Sequence, residues 1–168
     1  MNGLTDNLLF SFFSVSFIAG LIILLVPARN RFLPQKTAFF LSVPVVVLAA
    51  VSYILFLLGE HPGLFSASVP LVSSLGLNIC LGADNLSMVF IFFSALFVPV
   101  SILVSRHAKR MSSFFYSLPF FSCGSMAGLF SAQDFFTFFF FWQLSAFPIL
   151  FLCGIWGRQG RIAASRQF

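Results

Sequence analysis

The feature that most constrains this chain is a series of long apolar stretches that contain no charged residue. Charged residues make up only 8% of the 168 residues, whereas a soluble domain carries about 25%. A chain with so few charges cannot present a polar surface to water, so we expect it to fold in lipid. A bilayer core requires about 20 apolar residues in a helix. Five stretches meet that length and predict an all-α membrane protein of one domain with about five transmembrane helices, at residues 7–26, 37–58, 85–105, 111–132 and 135–157.

A sixth uncharged stretch, residues 61–83, is not predicted to be a helix. It contains Pro62, Pro70 and three glycines. Toward its end, apolar residues alternate with small or polar ones, and a period of two favours an extended strand. The stretch therefore predicts a short β-hairpin at about residues 71–83, between the second and third helices.

The charges are distributed in a way that supports this topology. With five transmembrane helices, all nine Lys and Arg fall on one side of the membrane and all four acids fall on the other. The positive-inside rule then places the N-terminus outside, and the basic loops and the C-terminus inside. The bases form short groups between apolar stretches rather than one basic face, which argues against nucleic-acid binding and makes anionic membrane lipids their expected contacts.

One polar residue in the last apolar stretch is a candidate functional residue. Gln143 lies nine residues after Asp134, which places it about 13–14 Å into a helix and near the bilayer midplane. Its amide can hold water or join two helices, and the interhelical contact is the simpler interpretation. We expect Asp134 to cap the helix, Trp142 to pack in the core and Trp156 to anchor the helix at the membrane interface.

No residue pattern in the sequence predicts covalent chemistry. There is no Ser/His/Asp set, no glycine-rich phosphate loop and no cluster of metal ligands. The three cysteines, Cys80, Cys123 and Cys153, lack metal-binding spacing, and we expect them to be small buried residues. The sequence therefore predicts no catalytic residue, no cofactor site and no metal site in this chain.

Two stretches resemble subunit 4 of respiratory complex I, the proton-pumping NADH:ubiquinone oxidoreductase. Residues 74–105 match the family's hairpin, its Gly-x-Asp-Gly-Ile-Ser-like helix start and its Pro-containing helix end, here with Gly82, Asp84 and Pro99. Residues 128–157 resemble the family's Asp-Leu-x-x-Phe-Tyr-x-x-Phe-Glu-x-x-x-x-Pro helix and the Gly-x-Trp-Gly that follows it. The final GRIAASRQF resembles the family's entry to the next helix.

The resemblance implies an antiporter-like subunit in the membrane arm, coupled to NADH:ubiquinone oxidoreduction. It makes Gln143, Pro148 and Asp134 candidates for a proton path, with FMN, iron–sulfur clusters and quinone expected in other subunits. Gln143 stands where the family has a glutamate that is implicated in proton translocation. An amide cannot ionise, so this substitution removes the proton-carrying group.

The family protein is longer and has further helices, so the resemblance implies that this chain is the front part of a larger fold. A separate chain is expected to supply the missing C-terminal helices, beside other membrane-arm subunits. The implied location is the mitochondrial inner membrane, with the basic loops and the C-terminus on the matrix side. Three alternatives remain: a purely structural scaffold fragment without pumping, a subunit of a bacterial cation/proton antiporter, and an unrelated five-helix channel.

Overall fold

The computed structural model describes residues 8–27, 32–58, 66–72, 77–105 and 112–156. Its helices and strands, in chain order, are α1 (Leu8–Leu25), α2 (Phe32–Leu57), β1 (Ser66–Val72), β2 (Leu77–Gly82), α3 (Asn85–Val104), α4 (Ser113–Phe130) and α5 (Phe135–Trp156). The predicted fold class, an all-α membrane protein with a hairpin between the second and third helices, is confirmed. Within the described ranges, each predicted helix corresponds to one observed helix.

Two elements begin earlier than the sequence predicted. Helix α2 begins at Phe32, before the predicted residue 37, and therefore includes Pro34 and Lys36 in its first turns. Proline is tolerated there because the N–H groups of the first turn have no partner in the helix. Strand β1 begins at Ser66 rather than near residue 71, and pairs antiparallel with β2. The predicted hairpin bounds therefore include all of β2 but only the last two residues of β1.

Helix α4 occupies the centre of the bundle. It packs against α1, α5, α3 and α2, and ten of its 18 residues are buried. Length and composition mark the other four described helices as candidate membrane spans. Helix α4 is long enough and carries no charge, but its four serines and two glycines lower its hydropathy. Neighbouring parts of the protein bury five of these six residues, and Ser122 is partly exposed.

Glycines let the neighbouring helices approach α4 closely. A Cβ atom on Gly124 would lie 2.7 Å from Cδ2 of Phe17 in α1, and a Cβ atom on Gly128 would overlap the ring of Phe141 in α5. Helix association in lipid depends on van der Waals packing at small residues, because lipid tails are as apolar as the side chains. The aromatic rings of α1 and α5 thus fill spaces that only glycine leaves open.

Two of the three buried serines of α4 donate their hydroxyl hydrogen bonds within the helix itself. Ser117 donates to the carbonyl of Phe114 at 2.8 Å, and Ser125 donates to that of Phe121 at 2.8 Å. Ser113 instead donates to the carbonyl of Val26 at 2.6 Å and joins the start of α4 to the end of α1. Among the described residues, no buried side-chain polar atom lacks a hydrogen-bond partner.

Candidate functional site

The first turn of α5 is capped by Asp134, as the sequence predicted. One carboxylate oxygen of Asp134 accepts a hydrogen bond from the Thr137 N–H at 2.8 Å, and the other accepts one from the Thr137 hydroxyl at 2.6 Å. The N–H of Cys80 in β2 points at the same pair, 3.3 Å from Asp134 Oδ2 and 3.1 Å from Thr137 Oγ1. We call Cys80, Asp134 and Thr137 the hairpin clamp, because they fix β2 to the start of α5.

Backbone hydrogen bonds strengthen the same junction. The Gly82 N–H donates to the carbonyl of Ser131 at 2.6 Å, and the Gln133 N–H donates to that of Cys80 at 3.0 Å. Leu81 and Ala132 form an antiparallel bridge. Strand β2 therefore pairs with β1 along one edge and with the α4–α5 connection along the other.

The hydrogen bonds of the clamp favour the charged form of Asp134. Burial raises the pKa of this carboxyl, but hydrogen bonds from Thr137 and from the backbone N–H groups of Cys80 and Phe136 outweigh burial and hold the pKa below its ordinary value. A carboxylate that accepts several hydrogen bonds is stabilised in its ionised form. In this arrangement Asp134 is a fixed acceptor, and its role in a proton path stays a prediction.

A second acid caps α3 on the same side of the bundle. Asp84 accepts a hydrogen bond from the Ser87 N–H at 2.7 Å. Hydrogen bonds from the Ser87 side chain and backbone lower the pKa of Asp84. The Ser87 hydroxyl also lies 2.6 Å from the carbonyl oxygen of Phe130, so it can donate to that carbonyl instead and tie α3 to the end of α4.

Gln143 faces away from the described helices that pack against α5. The buried residues of α5 are Thr137, Phe141, Ser145 and Pro148. Gln143 lies two residues from both Phe141 and Ser145, and two residues correspond to about 200° around a helix. Its side chain is therefore exposed on the opposite face.

The structure does not bring the three proton-path candidates together. Pro148 lies on the packed face of α5, where it lines a cavity of about 190 Å³ between α1, α4 and α5 with Phe17, Leu118 and other apolar residues. Gln143 lies on the outer face, and Asp134 lies about 13–14 Å away along the helix. The roles of all three in proton transfer remain predictions.

The two tryptophans of α5 differ in their surroundings. The predicted core position of Trp142 is wrong, because its side chain is 53% exposed. Helix α5 is apolar on every side, so its sequence does not mark the packed face. The ring of Trp156 lies 6.2 Å from that of Phe114 and 5.0 Å from that of Phe115, and so joins the end of α5 to the start of α4.

The three cysteines differ in their burial. Cys123 is buried, as predicted, whereas Cys80 and Cys153 are only partly buried. Within the part of the chain that the structure describes, no three His, Cys, Asp or Glu side chains are grouped so that they could hold a metal ion.

Sequence reasoning missed Thr137 as a functional side chain. Thr137 is fully buried and links Asp134 to Cys80 in the clamp. The signal was present in the Asp-x-x-Thr spacing, which resembles a capping box in that the residue three positions after the cap also carries a polar side chain. The partner strand lies 57 residues earlier, so local spacing could not reveal it.

The fold and the site define a multi-pass helical membrane protein in which a hairpin is clamped to a helix that carries a polar residue in its middle. The chain is 29% identical over 164 residues to NAD(P)H-quinone oxidoreductase chain 4 2 of Synechococcus sp. (strain JA-3-3Ab), a match that covers 90% of this chain and 31% of that protein. It is 28% identical over 168 residues to NADH-quinone oxidoreductase subunit M of Pseudomonas aeruginosa, covering 92% and 33% respectively. The chain is therefore a relative of these subunit 4 and subunit M proteins, and the resemblance seen in its motifs is confirmed.

A solved structure shares the fold. The membrane-bound sulfane sulfur reductase, an archaeal respiratory membrane complex, contains a chain that matches with a TM-score of 0.62 and 20% identity, over 90% of this chain and 23% of that one. The chain spans about a third of the length of the curated relatives it matches. No family model matches the sequence.

Proposed function

We propose that the chain is a membrane-arm subunit of a proton-translocating NADH:quinone oxidoreductase. The observation that carries this proposal is the match over 90% of the chain to a quinone oxidoreductase chain 4. The chain supplies helices to an antiporter-like module, while FMN, iron–sulfur clusters and quinone belong to other subunits. Its partners are the other membrane-arm subunits.

The proposed location is the mitochondrial inner membrane. The basic loops and the C-terminus lie on the matrix side, which follows from the positive-inside rule and the placement of all nine bases. The 27 phenylalanines support an organellar origin, because phenylalanine codons are rich in pyrimidines and suit a T-rich genome.

Gln143 limits the part that this chain plays in pumping. A buried carboxylate can change its protonation state, whereas an amide cannot. The chain therefore forms a wall of the proton path rather than carrying the proton at this position. The same observation favours a second candidate function, a structural subunit that keeps the membrane arm assembled without a proton-transfer step of its own.

The assembly is tested by purification of the tagged chain from its native membrane in a mild detergent. We expect NADH:quinone reductase activity and the tagged chain to migrate as one band in a native gel. A tagged multi-pass protein from the same membrane serves as the control. Migration of the chain without that activity would contradict the proposal.

The role of position 143 is tested with Gln143→Glu in the assembled complex. If this position controls proton transfer, the number of protons pumped per electron in reconstituted vesicles changes. Gln143→Met is the matched control, since it retains the side-chain length without an ionisable group. An unchanged stoichiometry in Gln143→Glu would favour the structural subunit.

A further inference from the structure

We propose that the groove between α1, α4 and α5 is a binding site for one acyl chain of a membrane phospholipid. The groove is the cavity of about 190 Å³ that Pro148 lines. The acyl chain lies along the helices, with the lipid headgroup at the level of Trp156. This site goes beyond the proposed function and does not depend on it, because it rests on the packing of three described helices.

The walls of the groove are apolar and largely aromatic. Phe17 contributes the α1 side, and five of the nine lining residues are phenylalanine. The only polar side chain among them is that of Ser125, and its hydroxyl donates to the carbonyl of Phe121 at 2.8 Å. A buried water requires two to four polar partners. The walls therefore suit hydrocarbon and do not suit water.

The groove runs parallel to the helix axes. Its lining residues on α4 form one stripe along the helix, made of Phe114, Leu118, Phe121 and Ser125. Those on α5 form a second stripe, made of Leu144, Phe147, Pro148 and Phe151. At about 1.5 Å per residue, the two stripes are about 16 Å and 10 Å long. The groove is therefore long and narrow.

The width of the groove distinguishes an acyl chain from a helix. A volume of about 190 Å³ spread over about 10 Å of helix length gives a cross-section of about 19 Å². An α-helix with its side chains is about 10–12 Å in diameter, which corresponds to a cross-section of about 80–110 Å². A single side chain from a neighbouring helix would fill only part of the length. The groove therefore fits one extended hydrocarbon chain and excludes a helix.

One end of the groove lies at the membrane interface. Phe114 is the second residue of α4, and its ring lies 5.3 Å from that of Phe151 and 6.2 Å from that of Trp156. Tryptophan is enriched at the membrane–water interface. The other end lies at Ser125, past the middle of α4. An acyl chain that enters at the interface thus has its first methylene groups near Phe114 and its later ones near Ser125.

The groove is open to lipid along one side. Phe147 and Phe151 at its rim are 56% and 45% exposed, whereas Leu118 is only 2% exposed. An acyl chain that moves from the bilayer into the groove exchanges one apolar environment for another, so the hydrophobic effect contributes little. The chain gains close contact with the densely packed rings instead. Fit and dispersion are therefore the forces that hold the chain.

Photolabelling in the native membrane tests the site. The full chain is kept in that membrane, and a phosphatidylcholine with a diazirine on one acyl chain is added. Lipid that moves over the outer surface reaches Phe40 of α2, which is 74% exposed, but not Leu118. We expect the yield of lipid adduct at Leu118 to be at least as large as that at Phe40. A smaller yield at Leu118 would overturn the site.

The position of the diazirine on the acyl chain provides a second test. One lipid carries the group near the ester, and another carries it near the methyl end. We expect the first lipid to label Phe114 more than Ser125, and the second to label Ser125 more than Phe114. Equal ratios from the two lipids would show that no chain is aligned along the groove.

A variant that narrows the groove provides the third test. Leu144 is partly buried, and Leu144→Phe adds a ring that extends between α4 and α5. We expect the yield at Leu118 to fall by at least about fivefold, the lower end of what overpacking costs. Leu103→Phe is the matched control, the same exchange at a 47% exposed position of α3 outside the groove, and should leave the yield unchanged.

Thermal unfolding of Leu144→Phe shows whether the variant is folded. An unchanged yield at Leu118 in the folded variant would overturn the site. If the variant does not fold, the labelling ratios of the two lipids on the wild type decide the matter alone.

Discussion

Helices α4 and α5 are consecutive and packed against each other, but they are buried to opposite extents. Ten of the 18 residues of α4 are buried, compared with four of the 22 in α5. Helix α4 contains serine and glycine along its length, whereas α5 is nearly uniformly apolar and aromatic. The less apolar helix is therefore the one at the centre of the protein.

This contrast follows from the solvent. In water, apolar residues are driven inside, whereas in lipid an apolar side chain gains little from burial. The packed surfaces instead contain small residues and serines whose hydroxyls are bonded to a carbonyl of the same helix, because these residues allow two helices to approach closely. Gln143 is the exception on α5, since it is a polar residue on the exposed face of an apolar helix.

The largest expected loss of stability comes from adding a methyl group where α4 and α5 pack most closely. Gly128→Ala places a Cβ atom against the ring of Phe141, which is only 2% exposed and has little room to move. This overlap outweighs the gain in helix propensity that alanine brings to α4, and we expect a net loss of about 1–3 kcal/mol in the free energy of unfolding, measured by denaturation in mixed detergent micelles.

Gly20→Ala is the matched control for that substitution. A Cβ atom on Gly20 would lie 3.1 Å from Cε1 of Phe121, its nearest neighbour on another helix. A small clash there is offset by the better helix propensity of alanine, about 0.8–1 kcal/mol, so we expect almost no change. Equal stabilities of the two variants would show that the α4–α5 contact is not tighter than the α1–α4 contact.

The next largest loss of stability is expected from substitution of Asp134, which caps the start of α5. Asp134→Ala removes the helix cap, one of the two acceptors of the Cys80 N–H, and the carboxylate that holds the other acceptor, Thr137. We expect a loss of about 1–2 kcal/mol in the free energy of unfolding. Hydrogen exchange of the Cys80 amide should accelerate in the same variant. Asp84→Ala is the control, because it removes a similar cap from α3 without touching the clamp. Faster exchange at Cys80 in both variants would contradict a specific role for Asp134.

The clamp should also depend on pH. The pKa of Asp134 is lower in the folded protein than its ordinary value, so the unfolded chain binds a proton more readily. The carboxylate therefore stabilises the fold fully above its ordinary pKa of about 3.9, and this contribution is lost as the pH falls through the depressed folded value. The free energies of unfolding of the wild type and Asp134→Asn should therefore converge in that acidic range. A constant difference between them at every pH would exclude ionisation of Asp134 as the cause.

The smallest expected change in stability comes from substitution of Gln143, on the exposed face of α5. Gln143→Leu should change the stability of the chain in detergent by no more than about 0.5 kcal/mol, the usual limit for exposed sites without special contacts. A large loss of stability in the chain alone would show that Gln143 has a partner within it, and would weaken the contrast between the two faces.

Much of the fold was predictable because it depends on local patterns. Uncharged stretches predicted the five helices, and the alternation near Cys80 predicted the second strand of the hairpin. Asp134 was predicted as a cap from its place before an apolar stretch. The clamp was not predictable, since Thr137 and Cys80 are far apart in sequence and meet only when the hairpin folds back over the bundle.

The sequence by itself determined that the chain folds in lipid, and it predicted the five described helices, the hairpin and the polar position at Gln143. These follow from composition and from periodicity within about 20 residues. Only the tertiary structure decided that α4 is central, that Trp142 is exposed and that Gln143 faces outward. The physical reason is that a helix apolar on every side has no face that its own sequence can distinguish, so its orientation is set by close packing of rings such as Phe141 on glycines of a neighbouring helix.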